Sequence, residues 1–479
     1  MTLSYIPSDT NDEGIFKANA SGSLPNGKPV IVNADGTVSV VSGVDGAVGS
    51  KAQYNPADTR YPTAVYDTGN SKVVFVYQDD AIPNARVGTV SGTSISFGSE
   101  VRFQATFPAT AISTVYDPDT GKIVVAYVCR NEGRVVIGTV SGTGISFGTP
   151  VVFHSGSTDS LQGIKAVYDT ANDKVVIAYQ DAAVARGQAI VGAVSGTSIS
   201  FGSAVEFSNN QDVRSEYNTL TMAFDSTAGK VIIAYANGSK GYATVGTVSG
   251  SSISFATPVE FASQALNYLA IDYDSVNNKS LIFYNAGAAA GKAIVVTLSG
   301  TTPSYGTAAT FKGSNSGSIN AVYDSAAGLF VFTFSDVSSS NDGKLNTATI
   351  SSTSVAFGSE TTIESGVFNY TGIGYDSENG QVIALWNNGV EEDGNYLINK
   401  IATTNLTSEN YIGISTGGTY ASGSNATIKI IGNTSNEQSS LTAGQSYFVQ
   451  TDGTLGLTAA DPSVFAGTAV SATKLLVKT

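Results

Sequence analysis

The chain repeats a phrase, A-V-Y-D or a close variant, followed by a short polar turn and a run of the form V-V-x-x-Y. The turn aspartates are Asp67, Asp117, Asp169, Asp225, Asp274, Asp324 and Asp376, and subtraction gives spacings of 50, 52, 56, 49, 50 and 52 residues. Such a period marks a unit that cannot bury its apolar faces alone and must be covered by its neighbours. In the first copy, alternation of apolar residues predicts strand A over 63–66, B over 72–77, C over 85–90 and D over 94–103. The A/B turn (DTGNSK) and the C/D turn (SGTS) consist of residues that accept tight turns. Four antiparallel strands used seven times predict a seven-bladed β-propeller, whose closure into a ring removes exposed sheet edges. An open β-solenoid is the rival architecture, but its rungs are much shorter than about 50 residues.

The seventh unit supplies A, B and C over 371–375, 381–386 and 396–402 and then lacks its fourth strand. VGSKAQYN at 48–55 matches FGSEVRFQ at 97–104 in character, so a strand from the amino-terminal side is expected to complete the last blade. This sets the ring at 48–404, flanked by 1–47 and 405–479. In the flanks, LPNGKPVIVNADGTVSV (24–40) and LTAGQSYFVQTDGTLGL (441–457) align without a gap, each reading as a hairpin with an Asp-Gly turn at Asp35 and Asp452. The expected fold class is therefore all-β, a seven-bladed propeller inserted into a small β-rich terminal domain formed by both chain ends. In an up-and-down blade both junctions fall on the C/D side of the ring, and that is where the terminal domain is expected.

Composition removes several kinds of chemistry. Charged residues are 13% of the chain, against about 25% in an ordinary soluble protein. Lys plus Arg is 24 and Asp plus Glu is 38, so the formal charge is 24 − 38 = −14, which repels phosphate backbones and excludes nucleic acid as an expected partner. No apolar stretch approaches about 18 residues, so no membrane insertion is expected. The opening MTLSYIPSDTNDEG lacks a basic segment followed by an apolar core and does not read as a secretory signal. With one cysteine, Cys129, and one histidine, His154, an internal disulfide and a Cys/His zinc site are both excluded. A Ser-His-Asp mechanism would have to use His154, and a Cys-His pair would need Cys129 beside it. Placed in different repeats, they read as a strand-end thiol and a solvated loop imidazole.

The C/D turns are nearly verbatim copies (SGTS, SGTG, SGTS, SGSS), whereas the B/C and D/A connections differ in length and charge. Varied loops on a repeated scaffold are where recognition is expected. The candidates for binding on that face are Asp79, Asp80, Arg86, Arg130, Glu132, Arg134, Arg186, Arg214, Glu216, Tyr217 and Asp393. Exposed charge ordinarily serves to hydrate a loop, and that reading stands beside the functional one. Trp386 reads as a blade-core residue, which leaves stacking on a sugar to Tyr61, Tyr217, Tyr268 or Tyr370. Asp117 and Asp119 suggest a Ca²⁺ turn, but the ligand set is incomplete, and such an Asp more often accepts N–H groups of its own turn. No metal and no cofactor are assigned. Neither a pair of carboxylates flanking a bond nor an Arg cluster with an activated Tyr stands out, and the Gly-rich turns open no helix as a phosphate cradle would, so the protein is read as not an enzyme.

GTVSGTSISFGSEVRF, GKPVIVNADGTVSVV and LTAGQSYFVQTDGTLGL followed by VFAGTAVSATKLLVK resemble virion appendage and structural proteins of tailed, especially marine, bacteriophages. The resemblance spans nearly the whole chain and is more specific at the two ends than in the blades. It implies a non-enzymatic surface component of the virion (tail fibre, tail tip or capsid decoration), assembled in the host cytoplasm. Its split domain would bind other virion proteins or further copies of itself, and its variable face would contact a host-surface glycan or protein or neighbouring subunits. No heptad or collagen-like segment enforces a homo-oligomer. The alternatives are a glycan-directed tail enzyme, depolymerase or sialidase-like, and a secreted bacterial adhesin.

Overall fold

The computed structural model describes residues 14–44, 46–104, 107–130, 132–155, 161–181, 183–209, 213, 218–287, 289–460 and 462–478. The chain divides into two compact units, one formed by Met1–Ala47 with Ile401–Thr479 and the other by Val48–Lys400. The second is a seven-bladed antiparallel propeller. In blade 1 strand A is Thr59–Asp67, B is Lys72–Asp79 and C is Ile82–Ser91. Strand D, expected to run unbroken, is two short segments, Ser94–Phe97 and Val101–Arg102, both paired with C.

The break has a steric cause in the neighbouring blade. A Cβ built on Gly98, Gly148, Gly202 or Gly306 would lie 2.0, 2.0, 1.8 or 2.1 Å from a turn carbonyl oxygen of the following blade (Thr143, Thr197, Ser251 and Thr353). The repeated F-G and the repeated C/D turn are thus two halves of one contact, in which backbone rests on backbone.

Blade faces are buried against neighbouring blades. Val74, Val76, Val87 and Phe103 of blade 1 share one buried cluster with Ile112, Ile123, Val125 and Tyr127 of blade 2. The seventh blade closes as the sequence leads one to expect: Ala52–Asn55 pairs with strand C, Gly394–Lys400, through Ala52 opposite Tyr396, Gln53 opposite Asn395 and Asn55 opposite Gly394. Gly49 N donates to the Ile398 carbonyl at 2.8 Å. Ile383, Leu385, Tyr396 and Ile398 of blade 7 then pack with Tyr66, Val73, Phe75 and Tyr77 of blade 1 in a cluster like those between the other blades.

The A-V-Y-D phrase is a latch. Each Asp accepts backbone N–H groups of its own turn, as Asp274 does from Val276 and Asn277, both at 2.9 Å. In blades 1, 2 and 7 the Tyr before it reaches back to the preceding blade's turn. Tyr116 OH accepts from Gly69 N at 3.1 Å, Tyr375 OH accepts from Ala326 N at 3.0 Å, and Tyr66 OH donates to Glu378 at 2.6 Å, the last joining blade 1 to blade 7. In blade 5 Tyr273 OH instead donates to Asn278 of its own turn at 3.2 Å, and blade 4 carries Phe224 at this position.

The terminal unit is a duplication. Its first sheet orders Ile15–Asn19, Asn425–Lys429, Tyr411–Thr416, Pro29–Val32 and Val38–Val40; its second orders Thr434–Ser435, Lys474–Val477, Val464–Ser471, Ser446–Val449 and Leu455–Gly456. Numbered along the chain within each sheet, both are antiparallel with order 1-5-4-2-3. The details repeat as well. Asp35 accepts from Thr37 N at 2.9 Å and Oγ1 at 2.7 Å, and Asp452 accepts from Thr454 N and Oγ1 at the same distances. In each fourth strand a glycine with positive φ, Gly413 (152°) or Gly467 (155°), lies where the ladder register shifts. The propeller is therefore inserted between the third and fourth strands of the first copy. Thr403–Thr404, placed with the ring on sequence grounds, pairs with Gly43–Val44 in the terminal unit. Ile31, Tyr411 and Ile414 of the first sheet and Tyr447, Val449 and Leu475 of the second share one core.

Two sets of substitutions test the blade contacts by urea denaturation. Tyr375→Phe is expected to lower stability by about 1 kcal/mol, the usual net value of one hydrogen bond, while Phe224→Tyr adds the missing latch and raises the midpoint. Gly148→Ala forces two backbones apart and is expected to cost about 1–3 kcal/mol, as overpacking does.

Candidate functional site

The eight described candidates among the eleven do not converge on one centre. Arg214, Glu216 and Tyr217 lie outside the described residues. In blade 1, Asp79 accepts from Asn55 Nδ2 at 2.9 Å, Asp80 is exposed with φ 43°, and half-buried Arg86 donates to the Tyr54 carbonyl and lies 5.4 Å from the Phe97 ring centre. In blade 2, exposed Arg130 covers the Phe107 ring at 3.2 Å, and Glu132 accepts from Arg134 Nε at 2.9 Å. In blade 3, Arg186 faces Glu206 at 3.9 Å. Asp393 is buried and accepts from Asn395 at 2.7 Å and from Gln53 of the closing strand at 2.5 Å, so it serves ring closure. The structure thus brings Glu132 and Arg134 together in one ion pair and holds Asp79, Arg86, Arg130, Arg186 and Asp393 on partners of their own.

Cys129 and His154 belong to the same blade, not to different repeats. Cys129 ends strand B and His154 lies in strand D, with C between them: Cys129 is opposite Glu132, and His154 opposite Gly133. The imidazole is not a solvated loop group either. Its ring centre is 5.2 Å from that of Tyr179, and its Nε2 is buried without a hydrogen-bond partner among the described residues. The outer strand runs further than its apolar alternation suggests, which carries His154 into the sheet. Trp386 is fully buried, as expected, and donates to Glu364 at 2.7 Å.

The concave feature of the propeller is where its inner strands meet. The first halves of all seven A strands enclose a cavity of about 900 Å³, at the end of the ring that also carries the B/C and D/A connections. Three of the four tyrosines picked out for stacking, Tyr61, Tyr268 and Tyr370, line it. Each stands six residues before its turn Asp, at a bulge in strand A, with φ of 51°, 50° and 40°. The same position is Gly163 (φ 56°) in blade 3 and Ser318 (φ 47°) in blade 6. The Tyr61 and Tyr370 rings meet edge to face at 5.3 Å, and Arg60, paired with Asp58 at 2.8 Å, lies 5.7 Å from the Tyr370 ring centre. Burial, and then the neighbouring Tyr370, raises the Tyr61 phenol above its ordinary value.

Beyond the tyrosines the described lining is hydroxyl, amide and aliphatic, with one charged side chain, Lys165. Lys165 is surrounded by protein while keeping some access to the cavity, and loss of water around the ammonium pushes it down to about 8. No hydrogen bond or ion pair engages it among the described residues. Gln180, which also lines the cavity, is 8% exposed, and its Oε1 is buried without a partner among those residues. Lys165 was not singled out from the sequence, yet a signal is there. Four residues before the turn Asp the seven repeats read Thr63, Ser113, Lys165, Thr221, Ala270, Asn320 and Gly372, and one of the seven is charged. A second displaced group, Asp272 of blade 5, is raised to about 6 by burial, against the N–H groups of Tyr323 and Tyr273 that it accepts.

The chain matches no protein-family model and no curated protein sequence. Among solved structures it is similar to a protein from Lactobacillus plantarum (10% identity, TM-score 0.48, covering 72% of this chain and 98% of that one). It is also similar to the β-propeller domain of Cps50 (Swd1) from Myceliophteria thermophila (8%, 0.47, 74% and 100%) and to the Dos1 propeller (11%, 0.45, 74% and 95%). Such distant likeness concerns fold and does not reach function. Among the described residues no helix is long and apolar enough to cross a membrane.

Because the Lys165 ammonium is less stable in the fold than in the unfolded chain, the unfolded state holds its proton over a window where the folded state has lost it. Stability should therefore rise as pH goes from about 8 towards the ordinary lysine value of 10.5. The denaturation midpoint of Lys165→Met, compared with the parent at pH 7 and pH 10, should lack that component of the rise.

Proposed function

We propose that the protein is a non-catalytic surface component of a tailed-phage particle, a tail-fibre, tail-tip or capsid-decorating protein. In this reading the terminal unit fastens the chain to particle proteins or to other copies, and the irregular-loop face of the propeller contacts a host surface or neighbouring subunits. The sequence resemblance at both ends supplies the particle setting. The structural observation that supports the division of labour is the duplicated five-stranded module carrying the whole ring in one connection of its first copy. A module used twice in tandem, with a large domain borne in a loop, suits a scaffold that presents a cargo. The uniform C/D turns are occupied in blade-to-blade packing, which leaves the varied B/C and D/A connections for recognition.

Proteomics of purified particles, with antibody labelling of intact particles under the electron microscope, tests the reading. The protein is expected at one defined location on each particle, and absence from purified particles overturns the proposal. Incubation with host envelope polysaccharide is expected to release no new reducing ends. Their appearance would replace this reading with the glycan-cleaving alternative.

A further inference from the structure

The axial cavity combines three features that the blade scaffold does not require. The first is an ammonium in a wall otherwise neutral among the described residues, without a partner among them, in a chain of formal charge −14. A buried cation costs free energy unless something anionic meets it, and nothing in the described wall does. The second is the buried Oε1 of Gln180 on the same wall, without a partner among the described residues. The third is backbone strain at the rim. Tyr61, Tyr268 and Tyr370 occupy left-handed conformations that Gly163 adopts freely at the same repeat position. Holding a bulky side chain there is unfavourable, and such strain gathers at ligand-binding sites.

The arrangement specifies an occupant. Lys165 lies two residues further along strand A than the bulge position, which corresponds to about 7 Å of extended chain. A molecule entering the cavity therefore meets aromatic rings first, then hydroxyl and amide groups such as Thr63 and Asn320, with the positive charge inside. A pyranose ring offers apolar C–H faces to tyrosines and hydroxyls to side-chain hydroxyls and amides, and a carboxylate on that ring provides the missing anion. The cavity's volume of about 900 Å³ falls within the range of sites for small ligands, about 300–1,000 Å³. We propose that the mouth of the propeller axis binds a carboxylate-bearing sugar, with its carboxylate on Lys165 and a ring face against the tyrosine rim. The site belongs to the propeller alone and holds whether or not the protein is part of a particle.

The test uses the full-length protein and three acidic probes, D-glucuronate, D-galacturonate and N-acetylneuraminate. Glucose, galactose and acetate serve as controls, with binding followed by saturation-transfer NMR and calorimetry. At least one acidic sugar is expected to bind, with the neutral sugars and acetate each at least tenfold weaker. Lys165→Met should weaken that binding at least tenfold, Lys165→Arg should retain most of it, and Tyr370→Ala, at an exposed rim position, should weaken it several-fold without loss of folding. The proposal is overturned if none of the three acids binds, if acetate binds as well as the acidic sugar, or if folded Lys165→Met binds like the parent. Should Lys165→Met fail to fold, undiminished binding by Tyr370→Ala overturns the ring-face contact on which the sugar assignment depends.

Discussion

A blade of this protein has no side that faces only water, so each buried face requires the next blade, and the ring is complete only if the last interface equals the others. The chain meets that requirement by building blade 7 from both directions, its three inner strands from one region and its outer strand from 48–55. Backbone pairing closes the sheet, the Gln53 to Asp393 bond fixes the corner, and Tyr66 throws the latch from blade 1 onto Glu378. Cluster packing recurs from blade to blade, the glycine-to-turn contact recurs at Gly98, Gly148, Gly202 and Gly306, and the latch recurs in blades 1, 2 and 7, so the same few residue types recur at the same places in the sequence. A repeat sequence is here a repeated interface more than a repeated blade.

The same requirement explains what the cavity can be. Each inner strand ends in a turn held by its own Asp, so their first halves hold a fixed ring of positions at the axis. Bulges there aim side chains that the ladder would otherwise direct between blades. Variation at these positions costs little in packing. Three blades use it for tyrosine and one uses a neighbouring position for lysine, against the near-uniform C/D turns at the other end of the blades.

How much of this could be read from residues alone differed by level. The period, strand number, place of closure and paired terminal hairpins were all legible, because each depends on local alternation and turn chemistry. The broken outer strand was not, since its cause is a carbonyl in the next blade. His154 was misplaced for a similar reason: strand D continues past the last clear apolar alternation, held by pairing to Gly133. Charged loop residues drew attention as site candidates because charge is conspicuous in a chain this poor in it. Yet Asp393 proved to be a closure residue and Arg134 the partner of Glu132. Lys165, inside a strand, stands out only as the one charged residue in its column of the seven copies. The duplication of the terminal module was half visible as two hairpins, but its other strands share too little sequence to be aligned without the sheet order.

The insertion point imposes a timetable on synthesis. The first terminal sheet cannot be finished until Tyr411–Thr416 and then Asn425–Lys429 follow Val38–Val40, the first of them after a gap of 411 − 40 = 371 positions, which at about 5–20 residues per second takes the ribosome roughly 20–75 seconds. Through that interval three early strands wait without their central neighbours, as does the ribbon at Ala52–Asn55 for Gly394–Lys400. The nascent chain thus carries open edges that could pair with another copy emerging nearby, and its brevity of strand and scatter of Gly and Ser in this stretch are what keep those edges poor templates while they wait.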